Sequence, residues 1–169
     1  MEKIFYADKS AYPNSEVGVK KILAEYYGLH EPVILRGEHG KPYLKEGPHF
    51  SVTHTKERLY IAFSSKPLGL DAESLSRNPF YQTVILNFPP EEQAEIISPE
   101  AFLKHWVVKE SAVKYLGSSL AHDLKNFAYI GGKLLYKGEP FPADIQLLTH
   151  EGYILSVCGG DKIYEFVPL

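Results

Sequence analysis

The chain lacks the features of a nucleic-acid-binding or membrane-spanning protein. Its 169 residues include 18 Lys and Arg against 21 Asp and Glu, which gives a net charge of −3 without any basic run. This balance argues against a general nucleic-acid binder. No stretch approaches the roughly 18 apolar residues of a transmembrane helix, and the amino terminus has no signal-peptide core. We therefore expect a cytoplasmic protein with no nucleic-acid or membrane partner.

Cysteine and metal-binding histidine patterns are also scarce. The single cysteine, Cys158, excludes an intrachain disulfide and suits a reducing compartment. It lies in the apolar run Tyr153–Cys158, which favours a buried core thiol over a nucleophile. The seven histidines show no spacing typical of a zinc site, such as H-x-x-x-H. We therefore expect neither a disulfide framework nor a zinc centre.

Apolar residues are plentiful, at 44% of the chain, and predict a well-packed core in one domain over residues 1–169. Strands and helices mix without strict alternation, which predicts an α+β fold with two halves of about 1–75 and 76–169. The predicted elements are a strand over Ile4–Ala7, a helix from Asn14 or Ser15 to Tyr27, strands over Val33–Leu35, Pro42–Leu44, His49–His54, Leu59–Ser64 and Leu68–Glu73, helices over Pro79–Asn87, Glu91–Ile97 and Pro99–Leu116, and strands over Phe127–Ile130, Lys133–Tyr136, Ile145–Leu148, Tyr153–Cys158 and Ile163–Val167.

The last predicted helix places two charged side chains among apolar ones. On a helical wheel at about 100° per residue, Glu110 falls between Trp106 and Leu103. Lys114 falls between Leu103 and Val107. A buried charge is costly unless it is paired or holds a metal, so these positions favour a functional role. The alternative is a solvent-exposed i,i+4 pair that contributes only about 0.2–0.5 kcal/mol.

A second acidic motif lies in the predicted strand over Leu68–Glu73. Its three apolar residues share one face, and Asp71 and Glu73 share the other. Carboxylates two residues apart on a strand lie about 6.5–7 Å from each other, which lets both bind one hard cation together with water and a phosphate. With Glu110 and Lys114 nearby, this set predicts Mg²⁺-assisted chemistry at a phosphate ester.

Four motifs of the chain resemble those of 4′-phosphopantetheinyl transferases, in the same order and at similar spacing. The family pattern is G-K-P, F-N-x-S-H-S, G-x-D-x-E and W-x-x-K-E-x-x-x-K. The corresponding segments here are Gly40-Lys-Pro-Tyr43, Phe50-Ser-Val-Thr-His-Thr55, Gly69-Leu-Asp-Ala-Glu73 and Trp106-Val-Val-Lys-Glu-Ser-Ala-Val-Lys114. The match is most similar to the larger branch of the family, and it implies a pseudo-twofold pair of α+β halves with the substrate between them.

The resemblance implies a reaction and its partners. A serine of an acyl or peptidyl carrier protein would attack the β-phosphate of coenzyme A, accept phosphopantetheine and release 3′,5′-ADP. Asp71, Glu73 and Glu110 would hold Mg²⁺. Glu110 would also act as the base, directly or through a metal-bound water, and Lys114 would offset negative charge on the phosphate. Since two halves in one chain would remove the need for a trimer, a monomer is expected.

Further residues are implied to bind coenzyme A. His54 would contact one of its phosphates, although a lone histidine is more often structural. Thr53 replaces a family serine and keeps its hydroxyl. Lys41 and Pro42 would lie beside the adenine or the 3′-phosphate, with a solvated turn lysine as the alternative. Lys109 is expected to reach the same phosphates from the edge of the helix.

Two other functions stay open at this point. A Mg²⁺-dependent nucleotide phosphohydrolase would use the same carboxylates, but it does not explain the G-K-P and T-H-T motifs. A non-catalytic coenzyme A- or carrier-binding homologue fits the late position of Lys20 and Lys21 in the first helix, where the family carries basic residues earlier. Such a homologue would have no reason to keep Asp71, Glu73 and Glu110 together.

Overall fold

The computed structural model describes residues 2–162 and 164–169. Its elements in chain order are β1 (Glu2–Asp8), α1 (Ser15–Tyr27), β2 (Ile34–Arg36), β3 (Pro42–Leu44), β4 (His49–His54), β5 (Arg58–Ser64), β6 (Leu68–Ser74), α2 (Pro90–Glu95), α3 (Pro99–Leu116), α4 (Leu120–Asp123), β7 (Phe127–Ile130), β8 (Lys133–Tyr136), β9 (Glu139–Pro140), β10 (Ile145–His150), β11 (Tyr153–Gly159) and β12 (Tyr164–Pro168). This content confirms the α+β prediction. The last predicted strand is seen from Tyr164 onward, because Ile163 lies outside the described residues.

Two main sheets pack against each other. The first has the strand order β12-β1-β5-β4 and the second has the order β10-β11-β6. Between them lies a core that includes Ile4 and Tyr60 from the first sheet and Leu70 and Leu155 from the second. The apolar residues of β6 all belong to this core, as the alternation in the sequence predicts. Smaller sheets are formed by β2-β3 and by β7-β8-β9.

Helix α1 covers the outer face of the first sheet. It begins where the Asn14 side chain accepts a hydrogen bond from the backbone of Glu16 at 3.0 Å, and it ends at Gly28 in the left-handed conformation. Both ends agree with the prediction. The buried residues that join the helix to the sheet are Phe5, Val19, Ile22, Leu23, Phe50, Leu59, Ile61 and Phe63.

Helix α3 lies directly on β6 because Gly69 has no side chain. A Cβ atom at Gly69 would lie 2.0 Å from the carbonyl oxygen of Ser111 and 2.4 Å from the backbone nitrogen of Tyr115. Even an alanine would therefore force the helix away from the strand. Since Gly69, Asp71 and Glu73 share one face of β6, this contact places both carboxylates along the side of α3.

The ends of α3 are set by local signals that are readable in the sequence. Ser98 caps the helix by accepting a hydrogen bond from the backbone of Ala101 at 3.1 Å, and Pro99 occupies the first turn. Gly117 ends it with a φ of 66° and donates its backbone N–H to the last turn. The observed helix Pro99–Leu116 matches the predicted bounds.

The helix predicted over Pro79–Asn87 is wrong. Only a 3₁₀ turn over Ile85–Asn87 forms there. Residues 83–85 are Thr-Val-Ile, whose β-branched side chains weaken a helix. Packing holds the segment instead, since the Tyr81 ring stacks on Phe102 of α3 with centroids 5.2 Å apart.

The two sections of the chain on either side of residue 75 share both main sheets. Strand β6 precedes this point and pairs with β11, whereas β12 follows it and pairs with β1. The division into halves and the monomeric state stay predictions. No helix among residues 2–162 and 164–169 is both long and apolar enough to cross a membrane.

Candidate active site

The outer strands β4 and β6 of the two main sheets lie side by side, and we call the two cavities beside them the groove. Side chains of β4 bond to β6. The Ser51 hydroxyl accepts a hydrogen bond from the backbone N–H of Leu70 at 2.9 Å, and the Thr53 hydroxyl donates to Asp71 Oδ1 at 2.9 Å. The strand edges are therefore joined through side chains, and α3 forms one wall of the groove.

Asp71 is held in place by two donors inside this groove. It is 5% exposed, and its Oδ1 atom accepts hydrogen bonds from Thr53 and, at 2.8 Å, from Lys114 Nζ. Lys114 also donates to the backbone carbonyl of Leu70 at 3.0 Å. The lysine of α3 therefore crosses to the strand and pairs with its carboxylate. This contact excludes the interpretation of Glu110 and Lys114 as an isolated surface pair.

Glu110 faces a cavity of about 270 Å³ that Lys41 and Lys114 also line. Burial, together with the negative charges of Asp71 and Glu73, raises the pKa of Glu110 to about 7 against the opposing effect of Lys114. The three predicted carboxylates therefore lie within electrostatic reach of one another. A carboxyl group that exchanges a proton near neutral pH at a cavity is a candidate acid–base catalyst.

Glu73 has a counter-ion of its own, since Arg77 forms an ion pair with it. Within the described part of the chain, no three His, Cys, Asp or Glu side chains are placed to hold a metal ion. In this conformation the cationic groups of Lys114 and Arg77 neutralise Asp71 and Glu73 instead. The structure brings the predicted triad of Asp71, Glu73 and Glu110 to one side of the groove, but not into ligand geometry.

Lys41 reaches the same cavity as Glu110, and Pro42 lies beside it. Its Nζ atom donates to the carbonyl oxygen of Leu68 at 2.8 Å. Burial, with a smaller contribution from the charge of Lys114, lowers the pKa of Lys41 to about 8. The alternative of a freely solvated turn lysine is inconsistent with this environment. Lys41 is placed to meet an anionic group that enters the cavity.

His54 lies at the end of β4 on the rim of a second, larger cavity of about 760 Å³. Glu73, Arg77 and Lys56 line this cavity as well. The His54 side chain is exposed, so a ligand can reach it. Successive residues of β4 line the two cavities, with Ser51 and Val52 at the smaller one and His54 and Thr55 at the larger one.

Thr53 requires a correction. Because successive residues of a strand point to opposite faces, Thr53 points inward where His54 points outward. Thr53 is 4% exposed and its hydroxyl is bound to Asp71. The expectation that Thr53 binds coenzyme A does not fit this position. Its hydroxyl orients the carboxylate of Asp71 instead.

The expectation for Lys109 is also wrong. Its side chain is completely buried on another side of α3, with Nζ 2.8 Å from Glu92 Oε2 and 3.2 Å from the centre of the Phe88 ring. Glu92 is fully buried too and contacts His105 Nδ1 at 3.0 Å. A lysine enclosed in this way cannot reach a phosphate in the groove. It ties α2 to α3.

The sequence does not predict a role for three residues that form the site or support it, Ser51, Arg77 and Glu92. Ser51 shares a strand face with Thr53, so the alternation in β4 is a signal that could have identified it. The contacts of Arg77 and Glu92 have no comparable signal. They depend on a turn after β6 and on the packing of α2 against α3, neither of which follows from local sequence.

Comparison with known proteins identifies the family. A family model described as the 4′-phosphopantetheinyl transferase superfamily matches residues 67–158, more than half of the chain. The chain belongs to this superfamily. The matched region extends from β6 to β11, so it contains Asp71, Glu73, Glu110 and Lys114.

Similar proteins include named 4′-phosphopantetheinyl transferases. The chain is 26% identical over 130 residues to 4′-phosphopantetheinyl transferase gsp of Aneurinibacillus migulanus, covering 70% of this chain and 54% of that protein. It is 28% identical over 136 residues to a 4′-phosphopantetheinyl transferase of Bacillus subtilis, covering 73% and 60%. The chain thus spans little more than half the length of these two relatives. It is 25% identical over 173 residues to 4′-phosphopantetheinyl transferase Sfp of Bacillus subtilis (strain 168), covering 91% and 76%.

Proposed function

We propose that the chain transfers the 4′-phosphopantetheine group of coenzyme A to a serine of an acyl or peptidyl carrier protein and releases 3′,5′-ADP. Membership of the superfamily supports this reaction class. The observation that carries the proposal is the position of Glu110, a partly buried carboxyl with a pKa of about 7 beside Asp71 and Lys114. The single buried thiol, Cys158, is consistent with work in the reducing cytoplasm.

The donor groups fit a hard divalent cation, and we propose Mg²⁺. Both hydrogen bonds to Asp71 end on Oδ1, so Oδ2 is the oxygen available to a metal. Burial and like charges raise the pKa of Glu110, and a cation there would favour its ionised form. Asp71, Glu110 and Glu73 would hold the ion, with Glu73 released from Arg77. When bound, Mg²⁺ supplies neutralisation of the charge on the pyrophosphate.

The residues of the chain account for the remaining requirements of the reaction. The carrier serine has a pKa far above 7 and needs a base within hydrogen-bond reach, which ionised Glu110 provides directly or through a water. As the serine oxygen bonds to the β-phosphorus, its proton passes to Glu110 and the bond to 3′,5′-ADP breaks. Lys114 offsets the charge on the transferred phosphate, while Lys41 and His54 hold the anionic parts of coenzyme A.

The test is to incubate the protein with coenzyme A, Mg²⁺ and an apo-carrier, and then to weigh the carrier by mass spectrometry. A gain of one phosphopantetheine supports the transferase. Nucleotide products with an unmodified carrier would identify the phosphohydrolase. If coenzyme A and carrier are both recovered unchanged, the non-catalytic interpretation replaces the proposal.

His54→Ala should raise the KM for coenzyme A more than it lowers kcat. A phosphate contact that is similar in the ground state and the transition state contributes to binding rather than to the chemical step. His30→Ala is the matched control, because His30 is exposed and lines neither cavity. Initial rates with coenzyme A and with dephospho-coenzyme A measure both parameters. An unchanged KM would show that His54 does not bind the substrate, and unaltered discrimination between the two cofactors would exclude the 3′-phosphate as its partner.

A further inference from the structure

The turn after β6 directs Arg77 back onto Glu73. The backbone N–H of Arg77 donates to the Ser74 carbonyl at 3.1 Å, and the hydroxyls of Ser74 and Ser76 are 2.8 Å apart. Leu75, inside the same turn, donates its backbone N–H to the Gly152 carbonyl at 2.9 Å. This bond fixes the turn to the loop between β10 and β11. This hydrogen-bonded turn therefore holds the guanidinium group of Arg77 beside the carboxylate of Glu73.

The two side chains of this pair are in different environments. The Glu73 side chain is 17% exposed, whereas that of Arg77 is 48% exposed and borders the 760 Å³ cavity. Burial raises the pKa of Glu73, and the ion pair with Arg77 lowers it. Arg77 thus favours an ionised carboxylate at a half-buried position. Because the guanidinium is half exposed, it can rotate into the cavity without opening the core.

Arg77 and a metal ion cannot use Glu73 in the same way. The guanidinium contacts Oε1 of Glu73, where it offsets the negative charge that a metal ion would use. Two cations held beside one carboxylate repel each other, so each weakens the binding of the other. Lys114 on Asp71 differs, because its amine is also held by the Leu70 carbonyl. Arg77 has no comparable second anchor among its contacts in the described residues. It is therefore the cation that can be displaced.

We propose that Arg77 is a built-in counter-ion of Glu73, which competes with the divalent cation for this carboxylate and turns into the cavity when the cation binds. The inference rests on the proposed function, in which Glu73 is a metal ligand. The affinity for the metal would then depend on the conformation of the turn after β6 as well as on the three carboxylates. Metal binding becomes an exchange of one cation for another.

The experiment is a titration of the intact, substrate-free protein with Mn²⁺ at low ionic strength, with free Mn²⁺ measured by electron paramagnetic resonance. Low salt matters because an exposed ion pair is screened. Arg77→Gln should lower the Kd for Mn²⁺ about two- to fivefold, the range expected when a partly exposed ion pair no longer competes. Arg77→Lys keeps the positive charge and should stay closer to wild type than Arg77→Gln does.

Lys20→Gln is the matched control. Lys20 pairs with Glu16 on α1 at 2.9 Å with the same i,i+4 spacing, and it lines neither of the two cavities. Removing this charge should leave the Kd for Mn²⁺ unchanged. A second control places Arg77→Gln in a Glu73→Gln background. If Arg77 acts mainly through Glu73, the effect of the arginine substitution should be clearly smaller in that background, and what remains reflects the effect of its charge on Glu110.

The outcomes separate this inference from the proposed function. An equal or higher Kd for Arg77→Gln than for wild type would overturn the role of Arg77, while leaving the metal site and the transfer reaction standing. An equal effect of Arg77→Gln with and without Glu73 would also overturn it. If neither wild type nor any variant binds Mn²⁺, the metal ligands of the proposed function are wrong and the inference fails with them.

Discussion

Glu110→Gln should lower kcat for phosphopantetheine transfer by at least about 100-fold and, in the same protein, raise the stability of the metal-free form at pH 8. The loss of rate follows from the proposed roles of Glu110, because a general base typically contributes 10²–10⁴-fold and the amide would also remove a proposed metal ligand. The gain in stability follows from burial. Keeping this carboxyl ionised beside Asp71 and Glu73 costs free energy in the folded protein.

The pH dependence of this effect has a defined sign. The pKa of Glu110 rises from 4.5 to about 7 on folding. The folded state therefore holds a proton more tightly, and the free energy of unfolding falls as the pH rises through this window. Glutamine cannot ionise, so the variant avoids the loss. Above pH 7 we expect it to be more stable by about 1–3 kcal/mol, with the difference vanishing below about pH 4.5.

Thermal unfolding in a chelating buffer at pH 5 and pH 8, together with single-turnover transfer rates, measures both effects. Glu100→Gln is the control, because Glu100 is an exposed residue in the first turn of the same helix. A normal transfer rate in Glu110→Gln would remove Glu110 from the mechanism. Equal melting temperatures at pH 8 would mean that the ionised carboxyl is not strained by its surroundings.

The second large effect concerns the core. Lys109→Met should destabilise the protein by about 3–5 kcal/mol, because it leaves Glu92 as a buried carboxylate without its ammonium partner. The contact is an ion pair at 2.8 Å between two completely buried side chains, so solvent cannot replace the lost ammonium. At 169 residues this corresponds to a fall in Tm of roughly 6–20 °C. The double variant Glu92→Gln/Lys109→Met should recover a large part of the loss.

This prediction also separates a structural lysine from a phosphate ligand. Lys104→Met is the control, since Lys104 is exposed on the same helix. Transfer rates are measured below the Tm of each variant and divided by the folded fraction. For the double variant they should stay within a few fold of wild type. A normal Tm combined with a large fall in kcat in Lys109→Met would return Lys109 to the phosphate site.

The sequence predicts best where structure is decided locally. The bounds of α3 follow from Ser98, Pro99 and Gly117, each of which acts on the adjacent turn. The two faces of β6 follow from strict alternation, which is why the pattern of residues alone places Asp71 and Glu73 on one side of the strand. The motifs then connect this strand to α3 through the family resemblance.

What the sequence does not predict depends on contacts between distant residues. A helical wheel of α3 assumes that its buried residues form one apolar arc. The helix packs against β6 and β11, and it also buries His105 and Lys109 against Glu92 of α2. Lys109 lies beside Glu110 in the sequence, but its partner Glu92 comes from the preceding helix. Adjacent positions on a helix point about 100° apart, so neighbouring charges face different surroundings.

The measurement that tests the central claim most directly is the ratio of 3′,5′-ADP released to carrier molecules modified, followed over time in one sample of wild-type protein, coenzyme A, Mg²⁺ and apo-carrier. The account predicts a ratio of one at every time point, and neither product when Asp71→Asn replaces the wild type. Nucleotide release without a matching gain in carrier mass, or full activity in Asp71→Asn, would contradict it.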